Sequence, residues 1–419
     1  MRWAHLPEFD FLPSEWELVS LTEVADVIAG QSPPSETYND KGNGLPFLQG
    51  NADFGEYHPE PIIWCEKPNR VCLPGSTLIS VRAPVGELNR ADQEYAIGRG
   101  LAAIQVRDID PDYLHYGMLR WARTLIRAGQ GTTYDAVTSR HFRQIKIPRP
   151  KNENEQKAIA KIIKAVDESI VRTREELEAA RRLKTTLMQQ LFTRGIPGKH
   201  QRFLKTKWLH FPTSWDVQKL GALAKIKSGF TMGRDLSRHE CIAVPYVTVI
   251  NVQEGYFELS NISTAHIKKS ELENVSLCSG DILMTEGGDR DKLGRGAIWT
   301  GEIEPCSYQN HIFRIRFNND LYKPKLLHFY LQSWQAKNYF YAHAKQTNNL
   351  CTINSRELKK FPIAIPDPQE QEKMLGVLES SEHLLQTLED KVEKQKMLKK
   401  SLLQNLLTGK MRVNAGAQA

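Results

Sequence analysis

The residues whose type and spacing could do chemistry are few, and each group fails a requirement of the chemistry it suggests. Methyl transfer to an amino nitrogen uses Asn or Asp followed by Pro-Pro and an aromatic residue. The single Pro-Pro, Pro33-Pro34, stands in "SPPS". A phosphate cradle needs Gly-x-x-x-x-Gly-Lys-Ser/Thr. "EGGDRDKLGRG", from Glu286 to Gly296, holds its glycines in another order and reads as a flexible loop. Glu357-x-Lys359 has the ending of a nuclease motif without the upstream Pro-Asp, so it reads as solvated helix. His141, His266, His311 and His343 lack the spacing of metal ligands, and Asp289-Arg290-Asp291 reads as a loop cap. No catalytic constellation, metal site or cofactor is expected in this chain.

Residues suited to contact nucleic acid are plentiful by comparison. "AGQGTTYDAVTSRHF" supplies Gln130, Thr132, Thr133, Tyr134, Arg140 and Arg143. A later loop, "AKQTNNLCTINSREL", supplies Gln346, Asn348, Asn349 and Arg356. Gln and Asn can bond adenine in bidentate fashion, whereas Ser and Thr commonly hold phosphate. Arg82, Arg99, Arg290, Lys292 and Arg295 mark further basic loops. The two named loops fit equally well a role in closing a domain. Trp16 and Trp215, each followed by an apolar strand, read as core anchors rather than stacking platforms.

Charge alone does not decide the partner. The net charge of +7 is uneven: residues 1–150 carry 15 basic and 19 acidic groups, residues 201–365 carry 22 and 15. An acidic first segment argues against simple coating of DNA. Yet 12 of its 15 cations are arginines, the cation suited to bidentate contact with guanine and phosphate.

The 419 residues are too many for one ordinary core, and 40% hydrophobic with 25% charged residues is globular composition. The most apolar helical stretch, "AIAKIIKAV", is broken by lysines, so no membrane span is expected. "MRWAHLPEFDF" has no apolar h-region, so no signal peptide is expected either. Six scattered cysteines without a Cys-x-x-Cys pair suit a reducing cytoplasm.

The elements that must position the candidate loops occur twice. "LPSEWELVSLTEVADVIAG" from Leu12 matches "FPTSWDVQKLGALAKIKSG" from Phe211: Pro13, Trp16, Leu21, Ala25 and Gly30 fall on Pro212, Trp215, Leu220, Ala224 and Gly229. "LPFLQGN" answers "VPYVTVIN", and "PGSTLIS" answers "SGDILMT". Towards the end of each half, Ser139, Arg140 and Phe142 match Ser355, Arg356 and Leu358. Short β-type runs with Gly and Pro turns, then a helical stretch ("DYLHYGMLRWARTLI", "KLLHFYLQSWQAKNYF"), predict an α+β unit in each half.

Each half then passes a hinge, "IPRPKNENEQK" (Ile147–Lys157) or "IPDPQEQE" (Ile365–Glu372), and enters a long helix. X-Pro steps favour extended backbone, which predicts a helix starting past the hinge. Ile159, Ile163, Val166, Ile170, Leu177, Leu187 and Leu191 follow a 4-3 spacing; so do Leu378, Leu385, Leu388, Val392, Leu402 and Leu406. Such a seam predicts a coiled coil, and about 40 residues at 1.5 Å each make a rod of roughly 60 Å. Gly195 and Gly409 mark the helix ends. The expectation is an antiparallel pair with pseudo-twofold symmetry. The domains expected are 1–150 and 200–366, with spacer helices in 151–199 and 367–419.

This layout resembles the specificity subunit of type I restriction–modification systems. The residues that carry the likeness are the paired "LPSEW" and "FPTSW" entries, the paired hinges, and "LKTTLMQQLFT" against "LKKSLLQNLLT". The resemblance implies two target-recognition domains that each read half of a bipartite DNA sequence. It also implies helices that dock two modification subunits, which use S-adenosylmethionine to methylate adenine, with restriction subunits joining them. The chain departs from the pattern in a three-residue expansion of its first hinge and in Ser381 and Gln395 on the second seam. A pseudo-dyad with two unlike readers fits an asymmetric site, as a true dimer fits a palindrome. The competing reading is a coiled-coil adaptor with two protein-binding domains and no DNA role.

Overall fold

The computed structural model describes residues 12–122, 137, 139–289, 292–347 and 350–413. Its contacts divide the chain into two units, Met1–Arg174 with Asp390–Ala419, and Glu175–Glu389. Each unit therefore takes its own head, part of the first long helix and part of the second.

In the first unit, strand Trp16–Ser20 pairs antiparallel with Lys146–Pro150, Trp16 opposite Pro150. The head's first and last strands thus close on each other, and the last strand runs into the hinge. A four-stranded sheet runs in the order Ala25–Ala29, Leu101–Val106, Thr77–Ser80, Leu88–Arg90. Its Leu101–Val106 strand buries four successive residues, Leu101 to Ile104, as a strand covered on both faces must. In a second sheet Leu45–Leu48 runs parallel to Tyr95–Ile97. Helix Pro111–Trp121 starts on Asp110, whose carboxylate accepts the Tyr113 N–H at 2.8 Å, with Pro111 at the first helical position. Its apolar face meets Trp16, Ile104 and Ile147 in one core with Ile159 and Ile163 of the first long helix and Leu406 and Leu407 of the second.

The second unit repeats the topology. Asp216–Lys219 pairs with Pro362–Ile365. The four-stranded sheet runs Ala224–Ser228, Ile312–Phe317, Ile282–Thr285, Gly296–Ile298, and Cys241–Val247 runs parallel to Ser307–Tyr308. The helical stretch expected as one piece is two here. Helix Pro324–Leu331 stops and Ser333 caps a new helix, Trp334–His343, by accepting the Ala336 N–H. A hairpin, Phe203–Lys205 with His210–Pro212, precedes the head.

The long helices are Glu153–Arg194 and Pro368–Leu406. Both begin inside the stretches expected to stay extended. The second even starts on proline: Pro restricts the residue before it, but its own fixed φ and missing N–H suit a first helical turn. Asp367 caps that turn, accepting the Glu370 N–H at 3.0 Å. Gly195 and Gly409 take φ of +69° and +71°, the left-handed conformation in which a chain commonly leaves a helix.

Of the seam residues, Ile159, Ile163, Ile170, Leu177, Leu191, Leu378, Leu388, Val392 and Leu406 are buried. Val166, Leu187, Leu385 and Leu402 are half-buried. Within the first unit Asp167 meets Lys399 at 2.5 Å, and Ser169 meets Gln395 at 2.7 Å. Within the second, Lys184 meets Glu382 at 3.0 Å, while Leu177 and Ala180 pack on Leu388.

Hinge residues tie each helix to its own head. Gln156 accepts the Asp110 N–H at 2.9 Å and donates to the Pro150 carbonyl at 2.8 Å. Gln371 accepts the Lys323 N–H at 2.9 Å and donates to the carbonyls of Leu321 and Pro366 at 2.8 and 2.9 Å. Asp110 and Lys323 are the residues from which the two head helices start, so one side chain fixes hinge to helix in each unit.

Candidate nucleic-acid interface

The candidate loops are gathered by backbone hydrogen bonds rather than by side chains. In the first unit the Val81 N–H donates to the Gly100 carbonyl at 2.9 Å, and the Val81 carbonyl accepts the Val137 N–H at 3.1 Å. These two bonds join three segments: the turn bearing Arg99, the turn bearing Arg82, and the end of the loop that precedes the hinge. Arg82 and Arg99 are both exposed. The Arg82 turn is held open by Ser80, whose hydroxyl donates to the Pro84 carbonyl at 2.6 Å and accepts the Glu87 N–H at 2.9 Å. The Arg99 N–H in turn lies 3.3 Å from the Ser32 hydroxyl.

Arg140 and Arg143 are exposed on the short helix Ser139–Arg143. The Arg143 carbonyl accepts the Ser20 hydroxyl at 3.2 Å, which anchors that helix beside the strand ahead of the sheet. Gln130, Thr132, Thr133 and Tyr134 lie outside the described residues. Other arginines of this head are already engaged: Arg90 with Asp112 at 2.7 Å, Arg149 with Glu17 at 2.9 Å.

The second unit builds the same junction with different letters. The Glu286 N–H donates to the His311 carbonyl at 3.0 Å, and its carbonyl accepts the Ile353 N–H at 2.9 Å. Here the joined segments are the turn at His311, the Gly-rich loop from Glu286, and the loop before the second hinge. Strand Gly287–Gly288 pairs with Leu350–Thr352, which pairs with Lys345–Thr347 and sets Gln346 opposite Cys351. Gln346 is exposed, as is Arg356 on helix Ser355–Lys359. Asn348, Asn349 and Arg290 lie outside the described residues.

Two of the second head's cations are partly spent within the protein. Lys292 pairs with Asp289 at 2.6 Å and holds that carboxyl below its ordinary range. Arg295 is half-buried and donates to the Gln253 amide oxygen at 3.0 Å. Arg295 therefore braces the loop, whereas Lys292 is exposed at its tip. Glu357, on helix Ser355–Lys359, pairs with Lys360 just past its end at 2.8 Å. Among the described residues no group of three His, Cys, Asp or Glu could hold a metal ion. Among them, too, no helix is long and apolar enough to cross a membrane.

The loops named as candidates from the sequence meet at a junction that the sequence did not show. Val81, Gly100 and Val137, with Glu286, His311 and Ile353, look unremarkable as letters. Their signal lay in the duplication, since each trio falls at matching places in the two halves.

The sequence profile described as "Type I restriction modification DNA specificity domain" matches residues 13–179 and again 212–395. A Methanocaldococcus jannaschii protein designated type I restriction enzyme MjaX specificity subunit is 41% identical over 196 residues, 46% of each chain. This chain thus spans about half the length of that relative. The type I restriction enzyme MjaVIII specificity subunit of the same organism is 25% identical over 421 residues, 96% of this chain and 94% of that one. Among solved structures, the type I restriction–modification S subunit from M. genitalium superposes with a TM-score of 0.57 over 93% of this chain and 96% of that one. At 16% identity this likeness speaks for the fold.

Proposed function

The chain belongs to the type I restriction–modification DNA specificity family, and from that premise we propose that it reads a bipartite, asymmetric DNA target, one half-site per head. The observation that carries this reading is the repeated junction. Each unit gathers three loops by the same pair of backbone bonds, just ahead of the hinge to a long helix. Arg82, Arg99, Arg140 and Arg143 serve the first head; Lys292, Gln346 and Arg356 serve the second. Exposed arginine and glutamine can meet base edges or phosphate from such loops.

In this reading the recognition domains are residues 1–150 and 200–366. The helices within 151–199 and 367–419 form an antiparallel coiled coil that spaces them. Opposed numbering of the partners supports this: in each unit, higher positions on one helix meet lower positions on the other. Two heads on one spacer bind a two-part site tightly even when each binds weakly, because the second engagement is intramolecular. The chain does no catalysis itself. Two modification subunits carrying S-adenosylmethionine methylate the target, restriction subunits complete the cytoplasmic complex, and the chain supplies their address.

Methylation mapping of a host genome with and without the gene tests the proposal. The expected outcome is a two-part adenine motif with a fixed gap that vanishes on deletion. Exchanging residues 30–145 should change one half of that motif, and exchanging 229–362 the other. A motif that survives deletion, or one without a gap, favours the protein-binding adaptor instead.

A further inference from the structure

One duplicated residue has opposite fates in the two units. "DYLHYGMLRW" and "KLLHFYLQSW" place Trp121 and Trp334 at matching positions. Trp121 is 2% exposed in the first core, whereas Trp334 is 73% exposed. Trp334 ends up outside because the helix breaks at Ser333 and restarts with Trp334 as its first residue. A side chain of that size gains much by leaving water, and exposed aromatic residues beside a groove are characteristic of recognition surfaces.

Such a groove lies beside it. Trp334 shares a cavity of about 200 Å³ with Phe192 near the end of the first long helix and with Trp208 and Leu209 of the hairpin before the head. Phe203 and Leu204 are exposed on that same hairpin. The rim is cationic: Lys205 and Lys207 line it, and the Lys207 ammonium sits 4.6 Å from the centre of the Trp208 ring. No Asp or Glu is found among its lining residues, nor anywhere in the sequence from residue 179 to 215. Arg194 and Arg202 add exposed positive charge in that stretch.

We propose that this groove docks an acidic protein segment carrying one large apolar side chain, contributed by another subunit of the complex. The inference rests on the reading of the chain as one subunit of a DNA-modifying assembly. Its volume falls below the roughly 300–1,000 Å³ of small-molecule sites, which suits one anchoring side chain rather than a free ligand. Its apolar floor suits a protein anchor better than a sugar–phosphate backbone, which would need cations there too. Nothing comparable is required of the first unit, where the matching tryptophan is core.

The test places a photo-reactive p-benzoylphenylalanine at position 334 (Trp334→p-benzoylphenylalanine) of the full chain. The chain is assembled with its modification and restriction subunits on target duplex, irradiated, and analysed by mass spectrometry of the cross-linked peptides. The expected product joins position 334 to a net-acidic segment of another subunit at Leu, Ile, Met or Phe. K205E with K207E should cut that yield at least tenfold while leaving the melting temperature within about a degree of wild type. Cross-linking to DNA, to a second copy of this chain, or to a neutral or basic segment would overturn the proposal. So would no cross-link in a complex that assembles and methylates its target. Failure of the unsubstituted chain to assemble or methylate would instead sink the reading of function on which the proposal stands, and the methylation map separates the two failures.

Discussion

The two hinges resemble each other most in Glu155-Gln156 and Glu370-Gln371, and there they part company. Each glutamine accepts the N–H at the start of its head helix and donates to a hinge carbonyl, with Gln371 donating to the Leu321 carbonyl as well. The glutamates are both buried but satisfied from different sources. Glu155 is held by Arg412 at 2.6 and 2.9 Å, and Arg412 also reaches Glu15 at 2.7 Å. Glu370 instead accepts the Ile196 N–H at 3.0 Å and the Trp215 indole N–H at 3.1 Å, with His200 at 2.8 Å and Lys199 at 3.0 Å. Trp16, which matches Trp215, has an indole N–H with no partner among the described residues. An amide that bridges fixed backbone donors and acceptors has one workable geometry, so it recurs. A carboxylate asks only for enough positive charge and hydrogen, so its partners diverge after duplication.

The sharpest way to break this comparison is Glu370→Ala. It removes four partners' acceptor from a carboxylate site with no solvent exposure, and should destabilise the second unit by about 3–5 kcal/mol. Denaturant unfolding, with hydrogen exchange to assign the loss to Glu175–Glu389, checks it. Acid dependence adds a second handle. Burial alone would raise the Glu370 carboxyl, but the Ile196 N–H, His200, Lys199 and Trp215 outweigh it and hold it below its ordinary 4.5. A carboxyl lowered by folding contributes stability that is present above its ordinary value and lost as pH falls through the lowered one. The stability gap between wild type and Glu370→Gln should therefore be widest near neutrality and shrink below pH 4.5.

Arg412→Ala asks the same of the first unit. It strands Glu155, whose side chain is 4% exposed, but Arg412 itself is 38% exposed and screened by water. The loss should be smaller, about 2 kcal/mol, and confined to the first unit. Arg412→Lys should recover only part of it, since an ammonium cannot bond Glu155 through two nitrogens while reaching Glu15. Equal losses from Arg412→Ala and Glu370→Ala would erase the distinction drawn between the hinges.

Much of the architecture was legible because it is periodic or repeated. The 4-3 spacing picked out residues such as Ile163 and Leu378, both with no exposure, and Gly195 and Gly409 marked where the chain turns away from each helix. What could not be read depends on long-range backbone partners. Nothing in the letters around Val81 or Glu286 announces that each receives a loop from far along the chain. The second helix starts earlier than its X-Pro steps suggest, because proline restricts its predecessor but itself suits a first turn, as Pro368 does. Residue type also misled about availability: Arg295 reads as a free cation but is turned inward to Gln253, and two matching tryptophans differ wholly in exposure.

The smallest expected effect tests the conserved half of the comparison. Gln156→Ala and Gln371→Ala each remove one acceptor for a helix-start N–H and one donor for a hinge carbonyl, and Gln371→Ala also frees the Leu321 carbonyl. A neutral hydrogen bond nets about 1 kcal/mol, so each variant should lose roughly 1–2 kcal/mol in its own unit. The informative readout is local: the Asp110 amide should exchange faster in Gln156→Ala and the Lys323 amide in Gln371→Ala, each leaving the other unchanged. Glutamate at either position should do worse than alanine, because it keeps the acceptor but sets a negative charge against the Pro150 or Pro366 carbonyl. If the two alanine variants differed as much as Glu370→Ala and Arg412→Ala are expected to differ, backbone geometry would not be what kept the glutamines alike.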